Sequence, residues 1–205
     1  TYLNNTIDKA YKACSVLAVD ESMIPFKGRS SLKQYMPMKP VKRGYKVWCL
    51  ADSKIGYVMK FDIYTGKSNY QPGLDTLGER VVLGLTRALQ GTGKVVAFDN
   101  FFTTVNLMKM LRNDNIYAIG TVRTNRKGLP PMMKEKEKLK RGEFQFQCKD
   151  GIAAIKWMDS KLVTLLTTAN DPRTTTTVTR KNKDGTTCQV SCPTAIATYN
   201  EIMGG

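Results

Sequence analysis

The sequence predicts an α/β fold in which helices pack on a mixed sheet. Apolar runs and turn signals predict, in order, three strands, a helix, a strand, a second helix and a further strand. Three meandering strands followed by strand–helix units are typical of a mixed sheet. Two of the predicted strands end in an aspartate, which is a costly position unless the carboxylate is paired or holds a cation. A chain of 205 residues with 41% apolar content can form a packed core.

The element boundaries follow from periodicity and from turn residues. A short helix is expected over 3–13, and a loop over the Gly-, Asn- and Pro-bearing segment 66–78. Thr103 is expected to cap the helix that follows the fourth strand. The other elements are predicted as strands 15–24, 45–52, 56–64, 94–99 and 116–122 and as helices 79–90 and 103–111.

After Arg123 the chain becomes basic and rich in short strand signals. The Thr-rich segment 174–179 is either an edge strand or a loop, and Ile196, Tyr199 and Ile202 recur at helical spacing. Further strands are predicted over 143–148, 152–157 and 161–168. We interpret the chain as the first part of a core at 1–123, a small β-rich basic insertion domain at 124–193 and the start of a returning core segment at 194–205.

The net charge of +15, with a pI near 9.7, indicates a polyanionic partner. Between Ser22 and Ala51 there is no acidic residue, and this basic stretch fits a phosphate backbone, although a solvated basic surface has the same composition. The chain has no histidine, and Cys188 and Cys192 stand alone as a C-x₃-C pair, which disfavours a zinc site. No apolar window approaches about 18 residues, so no membrane partner is expected.

Two aspartates are the candidate catalytic and metal-binding residues. Asp20 ends the run that starts at Ser15, and Asp99 ends the run that starts at Lys94. Both follow strands with β-branched residues, which predicts a divalent-metal site on adjacent strands. The alternative is that each aspartate caps a turn or a helix. Asp52 and Asp62 are interpreted as turn and surface residues, and the two tryptophans, Trp48 and Trp157, as core residues.

Several segments of the chain resemble the catalytic region of piggyBac-type DNA transposases, including the domesticated transposase-derived proteins of animals. The matching segments are residues 19–29, 35–40, 98–103 and 120–126, with Tyr199-Asn200 and Gly204-Gly205 as the closing motif. The resemblance implies a ribonuclease-H-like core with three aspartates, interrupted by an insertion domain. Asp20 and Asp99 fall on the first two aspartates. The third lies two residues beyond Gly205, so the chain is expected to be truncated before it, to bind metal weakly and not to cut DNA.

The same resemblance implies a two-metal site for Mg²⁺ or Mn²⁺, cut-and-paste transposition at TTAA targets, a homodimeric parent protein and a nuclear location. Arg123 and Arg126 fall on basic positions that contact DNA in the family, with a solvated loop as the alternative. The other candidate DNA contacts are Lys127, chosen on charge alone, and Asn100, Lys27 and Arg29, which are expected to lie beside the aspartates.

A second class of function stays open at this point. It is a domesticated derivative that binds DNA or chromatin without catalysis. The presence of both Asp20 and Asp99 favours an enzyme, because a protein that only binds DNA does not need two carboxylates facing phosphates. A host nuclease of the same fold is a more distant alternative.

Overall fold

The structure is a computed structural model that describes residues 2–12, 14–66, 76–135, 139–182 and 184–204. Its helices are α1 (Tyr2–Ala10), α2 (Leu77–Thr86), α3 (Val105–Asn113) and α4 (Thr194–Met203). Its strands are β1 (Val16–Pro25), β2 (Gln34–Tyr35), β3 (Arg43–Asp52), β4 (Val58–Ile63), β5 (Val95–Phe98), β6 (Tyr117–Thr121), β7 (Phe144–Lys149), β8 (Ile152–Met158), β9 (Leu162–Thr167), β10 (Thr175–Lys181) and β11 (Thr187–Pro193).

Within these ranges, nine strands form one mixed sheet with the order β2-β3-β1-β5-β6-β9-β8-β7, and β4 pairs with β3. The central strand β1 is antiparallel to β3 and parallel to β5, which in turn is parallel to β6. The predicted α/β class, a mixed sheet with flanking helices, is confirmed. The arrangement places the carboxyl ends of β5 and β6 at the same edge of the sheet, beside the middle of β1.

The predicted start of the helix after β5 is wrong by one residue. Thr104 caps α3 and accepts a hydrogen bond from the Leu107 N–H at 3.0 Å. The Thr103 hydroxyl instead donates to the Asp99 carbonyl oxygen at 2.8 Å, so it belongs to the turn that precedes the helix. Most of the predicted loop 66–78 lies outside the described residues, and its last two residues already belong to α2.

A buried glutamate joins the starts of α2 and α3. Thr76 and Glu79 form a capping box at the N-terminus of α2. The fully buried Glu79 carboxylate also accepts a hydrogen bond from the Thr104 hydroxyl at 2.5 Å. The Glu79 carboxylate therefore holds the N-termini of α2 and α3 together, beside the turn that follows β5.

The sheet continues beyond residue 123, where the core was expected to end. Strand β9 pairs antiparallel with β6, and β8 and β7 extend the sheet further. The Thr-rich segment forms β10, which pairs with β11 in a separate hairpin, so the strand alternative was right. The division into 1–123, 124–193 and 194–205 stays a prediction.

Two apolar clusters cover the two faces of the sheet. The larger cluster contains Trp48, Phe98 and Phe102 and packs α2 and α3 against one face. The smaller cluster contains Trp157 and Ile196 and packs α4 and the hairpin against the other. Both tryptophans are at most 2% exposed, which confirms them as core residues. The two layers hold the edge at the ends of β5 and β6 in a fixed position.

Gly120 brings β6 close to the end of β5. A methyl group there would lie 2.7 Å from the Phe98 carbonyl oxygen and would also meet the Thr103 hydroxyl. Since both of these groups flank Asp99, glycine at this position lets the turn after β5 fold tightly against β6.

The interpretation of Asp52 as a surface turn residue is wrong, because its side chain is fully buried. Its carboxylate accepts hydrogen bonds from the Tyr11 hydroxyl at 3.1 Å, the Cys14 N–H at 3.0 Å and the Lys54 N–H at 2.9 Å. Burial alone would raise the pKa of Asp52, but these hydrogen bonds outweigh it and hold the pKa well below its usual range. The carboxylate ties the segment before β1 to the turn after β3.

An Asp52→Asn variant should be less stable than the wild-type protein at pH 7. The pKa of Asp52 is depressed in the folded protein, so its contribution to stability is present above the pKa of the unfolded chain, about 3.9, and is lost as the pH falls further. The difference between the two proteins should therefore shrink below about pH 4. Urea unfolding across this pH range measures it, with the exposed Asp62→Asn as the matched control. A difference that is constant with pH would contradict the assignment.

Candidate active site

The two candidate aspartates meet at one edge of the sheet. The parallel pairing of β1 with β5 ends at Val19 and Phe98, and Asp20 and Asp99 are the next residues on the two chains. Neighbouring strands lie about 4.8 Å apart, which brings the two backbones within reach of one ion. Because Ala18 and Ala97 pair two residues earlier, the alternation of side chains places both aspartates toward the same face, the one that α4 covers.

A tight turn fixes Asp99. Its Oδ1 accepts a hydrogen bond from the Phe101 N–H at 2.9 Å, and its carbonyl oxygen accepts from the Phe102 N–H at 3.2 Å. The alternative interpretation, in which Asp99 caps a turn or a helix, is therefore partly correct. Asp99 caps this turn, whereas Thr104 caps helix α3. In the described part of the chain Oδ2 makes no hydrogen bond, which leaves it available to a ligand.

Asp20 is exposed to solvent at the edge, but the surrounding protein removes part of its hydration. This desolvation raises the pKa of its carboxyl, and the negative charges of Glu21 and Asp99 act in the same direction. The Glu21 N–H and the Lys39 ammonium oppose the shift. The two carboxylates therefore repel each other in the absence of a cation, which is the electrostatic condition that a divalent ion relieves.

Two lysines on the other side of β1 were not singled out from the sequence. Lys39 forms an ion pair with Glu21 at 2.9 Å, and Lys46 lies over the ring of Trp48. Both ammonium groups interact electrostatically with the aspartate pair. The sequence shows that both lysines belong to the segment between Ser22 and Ala51, which has no acidic residue. Their position beside the two aspartates depends on the register between β1 and β3.

Tyr199 is a further residue near the pair whose role the sequence did not indicate. It lies on α4, which contacts β1, β5 and β6, and its hydroxyl is 3.4 Å from the Thr121 hydroxyl. Burial raises the pKa of Tyr199, and the charges of Asp99 and Asp20 contribute in the same direction. This helix therefore closes the side of the site that faces the aspartates.

Three of the predicted DNA contacts form one cluster directly after Asp99. The Arg123 guanidinium donates to Asn100 Oδ1 at 2.9 Å. Arg126 donates to the carbonyl oxygens of Asn100 and Phe101 at 3.1 and 2.8 Å. Arg126 is half-buried and braces the turn, whereas Arg123 is exposed. A role in binding DNA stays a prediction for all three residues.

The structure does not bring the remaining basic candidates to the aspartates. Lys27 and Arg29 are exposed and follow the end of β1 at Pro25. Since β1 continues for five residues past Asp20, the end of the strand that precedes them lies roughly 17 Å from Asp20. Lys127 is exposed on the loop beside Arg126. The expectation that Lys27 and Arg29 lie beside the pair therefore does not fit the length of the strand.

The comparison with protein families identifies the family of this chain. The sequence pattern of the family described as Transposase IS4 matches residues 1–205. The chain belongs to this transposase family. Membership implies a divalent metal cofactor, and the predicted resemblance to piggyBac-type transposases is confirmed by the relatives described next.

Two human relatives of this transposase chain are PiggyBac transposable element-derived proteins 2 and 3. They are 34% and 35% identical to it over 195 and 199 residues, which are 90% and 91% of the chain. The chain spans about a third of each relative, 33% and 32%. A cryo-EM structure of a piggyBac transposase synaptic complex with hairpin DNA superimposes with a TM-score of 0.81 and 25% identity, covering 98% of this chain and 40% of that one. The fold comparison supports the ribonuclease-H-like class.

The donor set of this transposase chain fits a hard divalent cation. Within the described ranges, no group of three or more His, Cys, Asp or Glu side chains is placed to hold a metal. Asp20 and Asp99 supply carboxylate oxygens, and Mg²⁺ typically takes only one or two carboxylates and completes its shell with water and phosphate oxygens. The two residues therefore fit part of a magnesium site.

No helix in the described ranges has the length and apolar character needed to cross a membrane.

An Arg126→Gln variant should lose about 1.5–3 kcal/mol of stability, because it removes a charged donor from the carbonyl oxygens of the turn after Asp99. Arg123→Gln is the matched control and should lose less than about 1 kcal/mol, since its guanidinium is exposed. Urea unfolding at pH 7 measures both. Equal losses in the two variants would contradict a bracing role for Arg126.

Proposed function

We propose that this chain is the catalytic-core region of a cut-and-paste DNA transposase, which cleaves and transfers DNA strands at TTAA targets. The proposal depends on one observation: Asp20 and Asp99 meet at the ends of a parallel strand pairing, on a chain of the transposase family with a net charge of +15. Carboxylates at such an edge face the phosphates of a bound nucleic acid, and the basic surface supplies the attraction for it.

The proposed cofactor is Mg²⁺ or Mn²⁺ in a two-metal site. Two such ions, when bound, help to activate an attacking water or 3′-hydroxyl and stabilise the leaving oxygen. Asp20 and the free Oδ2 of Asp99 would hold them, while the turn that Phe101 and Arg126 fix keeps Asp99 in place. The 205 residues supply two of the three aspartates that the resemblance implies, so we expect weak metal binding by these two alone.

The proposed partner is DNA, both the transposon ends and the TTAA target. Asn100, Arg123 and Arg126 would contact it next to the aspartates, because they cluster directly after Asp99. Lys127 would contact it from the loop beside Arg126. Lys27 and Arg29 would contact the same duplex farther from the aspartates, because they follow the end of β1. We propose a homodimeric parent protein and a nuclear location on the same grounds.

The alternative is a domesticated derivative that binds DNA or chromatin without catalysis. The names of the human relatives, which are transposable element-derived proteins, favour it. Metal binding separates the two functions, because a protein that only binds DNA has no use for a site at Asp20 and Asp99.

A thermal-shift titration with Mn²⁺ tests the metal site. At an ion concentration of ten times the Kd, binding adds about 1.4 kcal/mol, which raises the Tm of a chain of this size by roughly 3–6 °C. Asp20→Asn and Asp99→Asn should each abolish the shift, whereas the exposed control Asp62→Asn should keep it. A shift of the same size in all four proteins would place the metal elsewhere and remove the main support for an enzyme.

Cleavage of DNA is the second test. Residues 1–205 with Mg²⁺ or Mn²⁺ and terminal-repeat DNA should bind without nicking, because they supply two of the three aspartates that the resemblance implies. Gel analysis of labelled DNA measures this, with DNA binding by the same sample as the control. Robust nicking by these residues would show that two aspartates are enough.

A further inference from the structure

Lys46 is held over two stacked aromatic rings. It lies on β3, opposite Met23 of β1. Its Nζ is 4.0 Å from the centroid of the Trp48 ring and 5.6 Å from that of Phe101. The two rings stack with centroids 5.6 Å apart and an interplanar angle of 17°. A cation held in this way keeps one position, because both ring faces attract it.

Phe101, one of the two rings, contacts both the Lys46 ammonium and the candidate active site. Phe101 belongs to the turn after β5, and its N–H donates to Asp99 Oδ1 at 2.9 Å. Lys46 also interacts electrostatically with both Asp20 and Asp99. The ammonium therefore lies at the edge of the site, on the side of β1 opposite to Tyr199.

The carboxylates of Glu21, Asp20 and Asp99 attract the Lys46 ammonium, but none of them forms an ion pair with it. The neighbouring Lys39 has its carboxylate partner in Glu21 at 2.9 Å. In the part of the chain that the structure describes, the Lys46 ammonium makes no ion pair and no hydrogen bond, and the aromatic rings supply no strong acceptor for its three N–H groups. A half-buried ammonium with free donors beside a nucleic-acid site is suited to a phosphate oxygen.

We propose that Lys46 binds a backbone phosphate of DNA next to the phosphodiester that lies at Asp20 and Asp99. It is a positioning residue: it fixes the register of the strand and takes no part in bond making or breaking. The inference rests on the proposed function, since it requires that DNA binds at this edge. The competing explanation is structural, namely that Lys46 only covers the buried face of Trp48.

Fluorescence-anisotropy titrations of a labelled DNA duplex, in EDTA and across a series of salt concentrations, test this role. Lys46→Gln should reduce the slope of log K against log salt by about 0.9, and should weaken binding about eightfold at 0.1 M salt. Lys54→Gln is the matched control. It removes the same charge from an exposed turn about 20 Å along the sheet, and its slope should equal that of the wild-type protein.

Two further variants keep the test independent of folding. Lys46→Arg keeps the charge and the aromatic contact and should keep the slope. Lys46→Met keeps an apolar stem over Trp48 and removes the charge, so it should show the reduced slope even where Lys46→Gln is poorly folded. A lower Tm with a slope unchanged in both neutral variants would overturn the role of Lys46 alone. An absence of DNA binding by the wild-type chain would overturn this role together with the proposed function.

Discussion

The candidate site depends on the point at which one strand pairing stops. β1 pairs with β5 only as far as Val19 and Phe98, after which β5 turns away while β1 continues to Pro25. Beyond Asp20 the strand is paired with β3 on one side, and in the described residues it has no strand on the other. Two carboxylates and a stretch of unpaired backbone therefore share one edge. A substrate can approach this edge without displacing any strand.

The repulsion between the aspartates is tolerated because the fold holds both backbones independently of the side chains. Asp99 is fixed by the tight turn and by Arg126, and Gly120 allows that turn to lie against β6. Asp20 is fixed by its place in the central strand. The positive charge of Lys39 lowers the electrostatic cost of holding the two carboxylates close together, and the site stays open. A site for hard cations and phosphates requires such preorganisation. The protein must hold the binding groups in position before the ligand arrives, because the ligand does not fold the protein around itself.

The two faces of the edge have different chemistry. On the face of the aspartates, α4 brings the Tyr199 phenol to the end of β6. On the opposite face, Trp48 and Phe101 support Lys46. The carboxylates thus lie between an apolar, phenol-bearing wall and an aromatic platform that carries a positive charge. This division fits a nucleic-acid strand whose reacting phosphate faces the metal ligands while a neighbouring phosphate meets the cation.

The sequence alone determined the type and order of most elements, because helical and strand periodicities are local properties of the chain. It did not predict β2 or β11, and it left the segment that forms β10 open between a strand and a loop. It also determined the two aspartates, since each ends an apolar run and carries a recognisable signature. The tertiary structure decided what depends on contacts between distant segments. The pairing of β6 with β9 extends the sheet into the segment read as an insertion, and buried hydrogen bonds take Asp52 into the interior. The position of Lys46 follows from strand register, which no single segment encodes, because a shift by one residue would turn its side chain to the other face.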